Sequence, residues 1–251
     1  MSKNDIEREI HWLLEEKYQG VMTDQAGRDI RRLQKGEHID YVIGFVTFLG
    51  CKIDLSFHPL IPRPETESWT NKAIEEMAKQ RKKRLHCLDI FAGSGCIGIG
   101  VLAHIPEASM DFADLHERYL WGIQANARAN HIEPSRYQLF HSDVFSGISR
   151  RYDYIFANPP YIAVAKRNEV QHSVLAQEPH GALFAGTDGL DVIRQFLAQA
   201  KYHVRKGGRI YMECDSWQGN AIKKILAAHE YPRYEICNDQ FGLPRFFVIH
   251  C

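Results

Sequence analysis

The stretch Leu85-His86-Cys87-Leu88-Asp89-Ile90-Phe91-Ala92-Gly93-Ser94-Gly95-Cys96-Ile97-Gly98 decides the fold. Residues 85–91 form a short, mostly apolar run of the length expected for a buried strand. Gly93 and Gly95 then let the chain turn tightly and approach a ligand where a Cβ would collide. An apolar segment over 96–104 follows and reads as a helix. Working outward, the same alternation repeats. Strands are expected over 108–113, 137–142, 152–157, 208–214, 233–237 and 245–250, and helices over 117–130, 188–204 and 217–229. In the last two helices Ile193, Phe196, Leu197 and Ala200, and Ile222, Ile225 and Leu226, recur at helical spacing. Alternating strands and helices give an α/β fold, with a mostly parallel seven-stranded sheet covered by helices on both faces. Ligands of such sheets bind beyond the carboxyl ends of the strands, near the switch point.

Upstream, Ile6, Ile10, Leu13 and Leu14 mark an amphipathic helix over 4–17, and Thr23 is a fitting N-cap for a second helix reaching about Gln34. Residues 44–57 read as two short strands turning near Gly50. These assignments divide the chain into a small helical segment (1–40), a β-hairpin linker (41–62) and a larger α/β domain (63–251).

Composition narrows the class. The chain has 251 residues, 45% hydrophobic and 25% charged, with 31 basic against 31 acidic side chains. That balance speaks against holding nucleic acid by charge alone. The densest basic cluster, Arg81 to Arg84, reads as a solvated helix end. No apolar run approaches the ~20 residues of a membrane helix, and the charged N-terminus does not read as a signal peptide. Six scattered cysteines without C-x-x-C spacing fit reduced thiols in the cytoplasm. The thirteen histidines include no H-E-x-x-H and no zinc spacing with cysteine, so no metal is expected.

A glycine turn before a helix also suits a dinucleotide, a phosphate or no ligand at all. Asp114 ends the next strand about twenty residues on, where a carboxylate accepts from both ribose hydroxyls. Nicotinamide dinucleotide and S-adenosylmethionine both fit that spacing. Asp143, ending the third strand, is placed to accept from an adenine amine or to cap a following helix. The fourth strand ends in Asn158-Pro159-Pro160-Tyr161. Its prolines fix the backbone and leave carbonyls without local donors. A planar NH₂ can give one hydrogen to the Asn158 side chain and one to the Pro159 carbonyl, with Tyr161 over its flat face. The alternative is a rigid surface turn. No general base stands beside the motif.

Asn158-Pro159-Pro160-Tyr161 in this context resembles methyltransferases that act on planar nitrogens. Ile61-Pro62-Arg63-Pro64-Glu65-Thr66-Glu67 is by itself a good proline-started helix N-terminus with acids in the first turn. As a string it resembles the segment before the catalytic domain of release factor glutamine methyltransferases, the HemK/PrmC family. Further segments match in order: Tyr41 to Gly44, Glu178 to Gly186, Asp188 to Leu190, Glu213 with Gln218, and Asp239, Gly242 and Arg245.

The resemblance implies a Rossmann-like class I S-adenosylmethionine-dependent methyltransferase. Asn158, Pro159, Pro160 and Tyr161 would grip the substrate glutamine and carry catalysis, with Arg63 and Glu65 beside them. Phe91, Ala92, Gly93, Ser94, Gly95, Asp114, Asp143, Val144 and Asn158 would hold S-adenosylmethionine. The implied substrate is the glutamine of the Gly-Gly-Gln loop of a class 1 peptide chain release factor, methylated by a cytoplasmic monomer. The chain departs from the pattern at Phe91, where the family usually has a glycine, and at Val144, where an aromatic residue is common. About forty residues precede the hairpin, enough for two helices where the family typically carries a larger helical domain. Rival readings are an adenine or guanine amine methyltransferase, which needs its base unstacked, a ribosomal-protein glutamine methyltransferase, and a non-catalytic binding protein of the same fold.

Overall fold

A computed structural model describes residues 3–80, 84–170 and 172–251; Arg81, Lys82 and Lys83 of the basic cluster lie outside them. Helix α1 (Lys3–Tyr18) packs on α2 (Asp24–Gln34), whose N-cap Thr23 accepts from the Ala26 N–H at 3.0 Å. A short helix not expected from periodicity, α3 (Ile39–Ile43), stops at Gly44, φ 94°. Five residues are too few to show a helical period, but they bury Ile39, Val42 and Ile43 against Leu13 and Leu33. Between α1 and α2 the buried Asp29 accepts from Lys17, Tyr18 and Arg32 at 2.7–3.0 Å.

Strands β1 (Phe45–Phe48) and β2 (Cys51–Asp54) form the expected hairpin. Its loop residues Leu49 and Gly50 both have positive φ, 48° and 75°, as a tight primed turn requires. The hairpin is built into the main body. Phe48, Cys51 and Ile53 share a core with Trp69, Ile97 and Phe112. Its open edge is closed by side-chain amides: Asn126 Oδ1 accepts from the Asp54 N–H at 2.8 Å, and Asn130 Oδ1 from the Lys52 N–H at 2.9 Å.

The main α/β body begins with α4 (Pro64–Met77), opened by Pro64 with Glu65 and Glu67 in its first turn. Then follow β3 (Leu85–Ile90), α5 (Cys96–His104), β4 (Ala108–Asp114), α6 (Glu117–Ala129), β5 (Tyr137–His141) and β6 (Tyr152–Ala157). After a long irregular stretch containing α7 (His172–Gln177) come α8 (Asp191–His203), β7 (Val204–Glu213), α9 (Gly219–Ala228), β8 (Arg233–Asn238) and β9 (Pro244–His250). The sheet order is β5-β4-β3-β6-β7-β9-β8, with β9 antiparallel to both neighbours and the remaining pairs parallel. Alternate residues of each central strand feed opposite cores. Cys87, Tyr154 and Phe156 meet α4 and α5, while Leu88, Ile90 and Ile155 meet α8 and α9. Strand β7 starts four residues earlier than its apolar pattern indicates, because the polar Arg205, Lys206 and Gly207 lie at the sheet's end and carry no apolar signal.

The two glycines of the turn after β3 differ in their demands. Gly95 is the N-cap of α5 at φ 75°, and a Cβ there would sit 2.8 Å from Ile123 Cγ1 of α6. Gly93, φ 52°, has no atom nearer than 4.0 Å to such a Cβ. Gly95→Ala is therefore expected to destabilise the fold by about 1–3 kcal/mol through overpacking, plus a smaller backbone penalty. Urea denaturation checks this, and an unchanged midpoint would refute it.

Candidate active site

The register of the sheet assembles the site. Ile90 pairs with Ala157, so Phe91 and Asn158 leave neighbouring strands side by side at the switch between β3 and β6. Ala113 pairs with Ile90, which sets Asp114 beside the glycine turn, and His141 pairs with Asp114, which brings residues 142–144 to the same rim. On the other flank Ala157 pairs with Met212, so Glu213 stands next to Asn158.

A cleft opens over these strand ends. Phe91, Gly93, Asp114, Asp143, Val144, Asn158 and Pro160 line it, with Gly181 and Ala182 of the Glu178 to Gly186 segment, and with Leu60, His116, Tyr119 and Gln195, which sequence reasoning did not find. Some of these come from loops and helix α8, whose approach to the cleft only tertiary packing decides. A wider groove runs between α4 and β8–β9, about 750 Å³ against 140 Å³ for the cleft. It lies along a sheet edge, away from the strand ends where both sequence motifs converge, and the smaller cleft is the candidate site.

Asp114 keeps acceptor capacity on the cleft side. Its Oδ2 accepts from the Gly93 N–H at 2.8 Å and its Oδ1 from the His116 N–H at 2.9 Å. Each carboxylate oxygen retains a further acceptor direction for a pair of ribose hydroxyls. Burial raises the Asp114 pKa, partly offset by those two backbone donors. Asp143 is exposed at the rim; no helix follows it, which removes the capping alternative. Val144 and Phe91 both carry positive φ, 48° and 60°, conformations that branched and bulky residues rarely adopt. Ser142 Oγ holds the first by donating to the Val144 carbonyl at 2.7 Å. The Phe91 ring packs edge-on against Phe196 of α8, 5.9 Å between centroids. The turn thus survives without its usual glycine because the ring finds apolar cover.

Ala92, Ser94 and Gly95 do not line the cleft. They shape the turn from behind: the Ala92 N–H donates to Ala113, and the Ser94 carbonyl accepts from Asn126 at 3.1 Å. Asp89, below them, is fully buried; its Oδ2 accepts from the Gly98 N–H at 2.9 Å and its Oδ1 has no partner among the described residues. Burial pushes its pKa well above the ordinary carboxylate value. The sign follows from linkage. Below the ordinary carboxylate range both states hold the proton, and as pH rises the unfolded chain loses it first, so stability falls until the folded group ionises too. Asp89→Asn removes this group's share, up to about 1.4 kcal/mol per pH unit. The stability of the variant relative to the parent should therefore grow from pH 4.5 to 7 in urea titrations, and a pH-independent difference would rule the account out.

The Asn158 end is held from behind. Asn158 Nδ2 lies 3.4 Å from Thr66 Oγ1, which leaves Oδ1 without a partner among the described residues. The Pro159 carbonyl accepts no bond from them either, but Pro159, expected at the substrate, is buried and does not line the cleft as Asn158 and Pro160 do. Tyr161 does not cover the cleft as expected from the motif; its hydroxyl donates to Glu213 Oε1 at 3.1 Å and its carbonyl accepts from Gln218 at 2.9 Å. Gly189 is needed at this point, since a Cβ there would fall 2.2 Å from the Tyr161 carbonyl oxygen. Arg63 also departs from expectation. It bonds the buried Glu178 at 2.5 Å and lies outside the cleft, as does Glu65. A buried carboxylate draws that guanidinium away from the ligand side and makes it a clamp on the segment after the Asn-Pro-Pro-Tyr motif.

Comparison with known proteins agrees with this geometry. Residues 70–186 match the model of the methyltransferase small domain. The chain is 35% identical to the release factor glutamine methyltransferase of Streptococcus pneumoniae, over 83% of this chain and 73% of that protein. It is 33% identical to the enzyme of that name from Bacteroides thetaiotaomicron, over 87% of this chain and 78% of that protein. Among solved structures, ribosomal protein L11 methylase from Lactobacillus delbrueckii subsp. bulgaricus aligns with a TM-score of 0.56 at 16% identity, covering 79% of this chain and 83% of that one, which shows the shared fold. With sheet order, cleft and relatives in agreement, the chain belongs to the release factor glutamine methyltransferase family.

Proposed function

We propose that this chain methylates the side-chain amide nitrogen of the glutamine in the Gly-Gly-Gln loop of a class 1 release factor, with S-adenosylmethionine as methyl donor. The observation that supports it most directly is the single cleft lined by both Asp114 and Asn158, a nucleoside acceptor beside an amide acceptor. When bound, S-adenosylmethionine supplies an electrophilic methyl group whose leaving group is a neutral thioether. The protein's task is then to position the nucleophile and exclude water. Gly93 and Asp114 would hold the donor, with Asp143, Val144 and Leu115 at the adenine end. An amide nitrogen is a poor nucleophile because its lone pair is delocalised into the carbonyl. Asn158 Oδ1 and the Pro159 carbonyl would each accept one of its hydrogens, turning the lone pair toward the methyl and favouring a pyramidal nitrogen as the bond forms. No side chain at the motif is needed as a base before transfer, and the proton leaves once the nitrogen has been alkylated.

The free cysteines, four of them buried, support work in the reducing cytoplasm, and the balanced charge supports the absence of a standing nucleic-acid partner. The test offers labelled S-adenosylmethionine with release factor, its Gln→Ala variant, ribosomal protein and total RNA. Label in the wild-type factor alone is the expected result. Label in RNA or ribosomal protein instead would overturn the substrate assignment.

A further inference from the structure

Catalysis as proposed depends on which end of the Asn158 amide faces the cleft, and the two ends are nearly the same size. Among the described residues, no group at the cleft wall bonds either end. The proton count behind the wall distinguishes them. Glu213, at the end of β7, is buried, and its Oε2 lies 2.6 Å from Thr66 Oγ1 and 2.7 Å from Trp69 Nε1, while Oε1 takes the Tyr161 hydroxyl at 3.1 Å. The indole nitrogen can only donate. Burial raises the Glu213 pKa, but the three side-chain donors that converge on it, Thr66, Trp69 and Tyr161, favour the ionised carboxylate, which can only accept. At 2.6 Å from that oxygen, the Thr66 hydroxyl must spend its one hydrogen on Glu213. Thr66 Oγ1 then has only lone pairs left for Asn158, 3.4 Å away. The atom of Asn158 facing Thr66 is thereby required to be the NH₂, and Oδ1 is turned toward the cleft.

We infer that Thr66 and Glu213 are positioning residues for the methyl transfer, a relay that sets the orientation of the Asn158 amide so that it presents an acceptor to the substrate. Neither touches the cleft, and both act through Asn158. The relay gives the Ile61 to Glu67 segment a part in the chemistry: it opens α4 so that Thr66 reaches the back of the Asn-Pro-Pro-Tyr motif. With the hydroxyl gone, Asn158 loses the partner that distinguishes its two orientations, and the flipped form offers an NH₂ to an NH₂. This inference rests on the proposed amide substrate.

The test is Thr66→Val, which keeps size and shape, compared with Thr66→Ser, which keeps the hydroxyl. Wild-type enzyme is first shown to label release factor, which tests the substrate reading by itself. Thr66→Val is expected to lower kcat by about 10- to 100-fold, with the Kd for S-adenosylmethionine, measured by calorimetry, changed less than about two-fold. Thr66→Ser should recover most of the rate. In the double variant Thr66→Val/Asn158→Ala the loss should not exceed that of Asn158→Ala alone, because both changes remove the same acceptor. A Thr66→Val enzyme of wild-type kcat, a Thr66→Ser enzyme as slow as Thr66→Val, or additive losses in the double variant would each overturn the inference while leaving the substrate assignment in place.

Discussion

Asn158→Ala is expected to reduce kcat for release factor methylation by roughly 10²–10³-fold, the cost of removing one preorganised hydrogen-bonding group that acts on the reacting centre. Affinity for S-adenosylmethionine should change far less, because in the proposed arrangement the donor would be held mainly from the β3 and β4 side of the cleft, where Gly93 and Asp114 line it. The fold should tolerate the change. Asn158 is half-buried and makes one long hydrogen bond, 3.4 Å, to Thr66. Single-turnover methylation and calorimetric binding of the donor separate the two quantities. Equal losses in both would show that Asn158 serves the donor rather than the amide.

The second large effect is expected at Asp114. A hydrogen bond to a charged group contributes about 1.5–3 kcal/mol, so losing both ribose contacts in Asp114→Ala should weaken S-adenosylmethionine binding by on the order of 10²-fold or more. The alanine also frees the N–H groups of Gly93 and His116, loosening the turn itself. Asp114→Asn is a gentler probe, since its carbonyl still accepts one of these bonds. Because burial holds the Asp114 pKa above the ordinary value, donor affinity in the parent should fall on the acid side as this group takes up a proton. Asp114→Asn should lack that dependence. A calorimetric series from pH 5 to 8 showing the same slope in both proteins would refute the ribose assignment.

Most of the sheet was legible because strand and helix periods are local. Residues 85–91 and 152–157 announce themselves as buried strands, and Gly93, Asp114 and Asn158 fall at strand ends that parallel pairing must bring together. Three kinds of feature were not legible. Helix α3 is too short to show a period. Thr66 and Glu213 lie 147 positions apart, and only the packing of α4 across β7 reveals that they bond. Arg63 and Tyr161 are of the types that grip ligands, yet Glu178 and Glu213, both buried, claim their polar groups first. A sequence shows which groups are available for binding; it does not show which have already been taken by a hidden acid. At Phe91 the pattern and the fold disagree on local grounds, and apolar packing against Phe196 outweighs the backbone preference.

The segment after the Asn-Pro-Pro-Tyr motif is anchored at two points. Gln177 bonds the Gly36 carbonyl and the His38 N–H near the end of α2, while neighbouring Glu178 is locked to Arg63 at the head of α4. A few residues on, Gly181 and Ala182 form one lip of the cleft. Thermal loosening at the amino-terminal helices would thus reach, through these bonds and a few residues of chain, the lip of the cleft. Heat inactivation of methyl transfer should then set in together with melting of those helices, ahead of any collapse of the sheet.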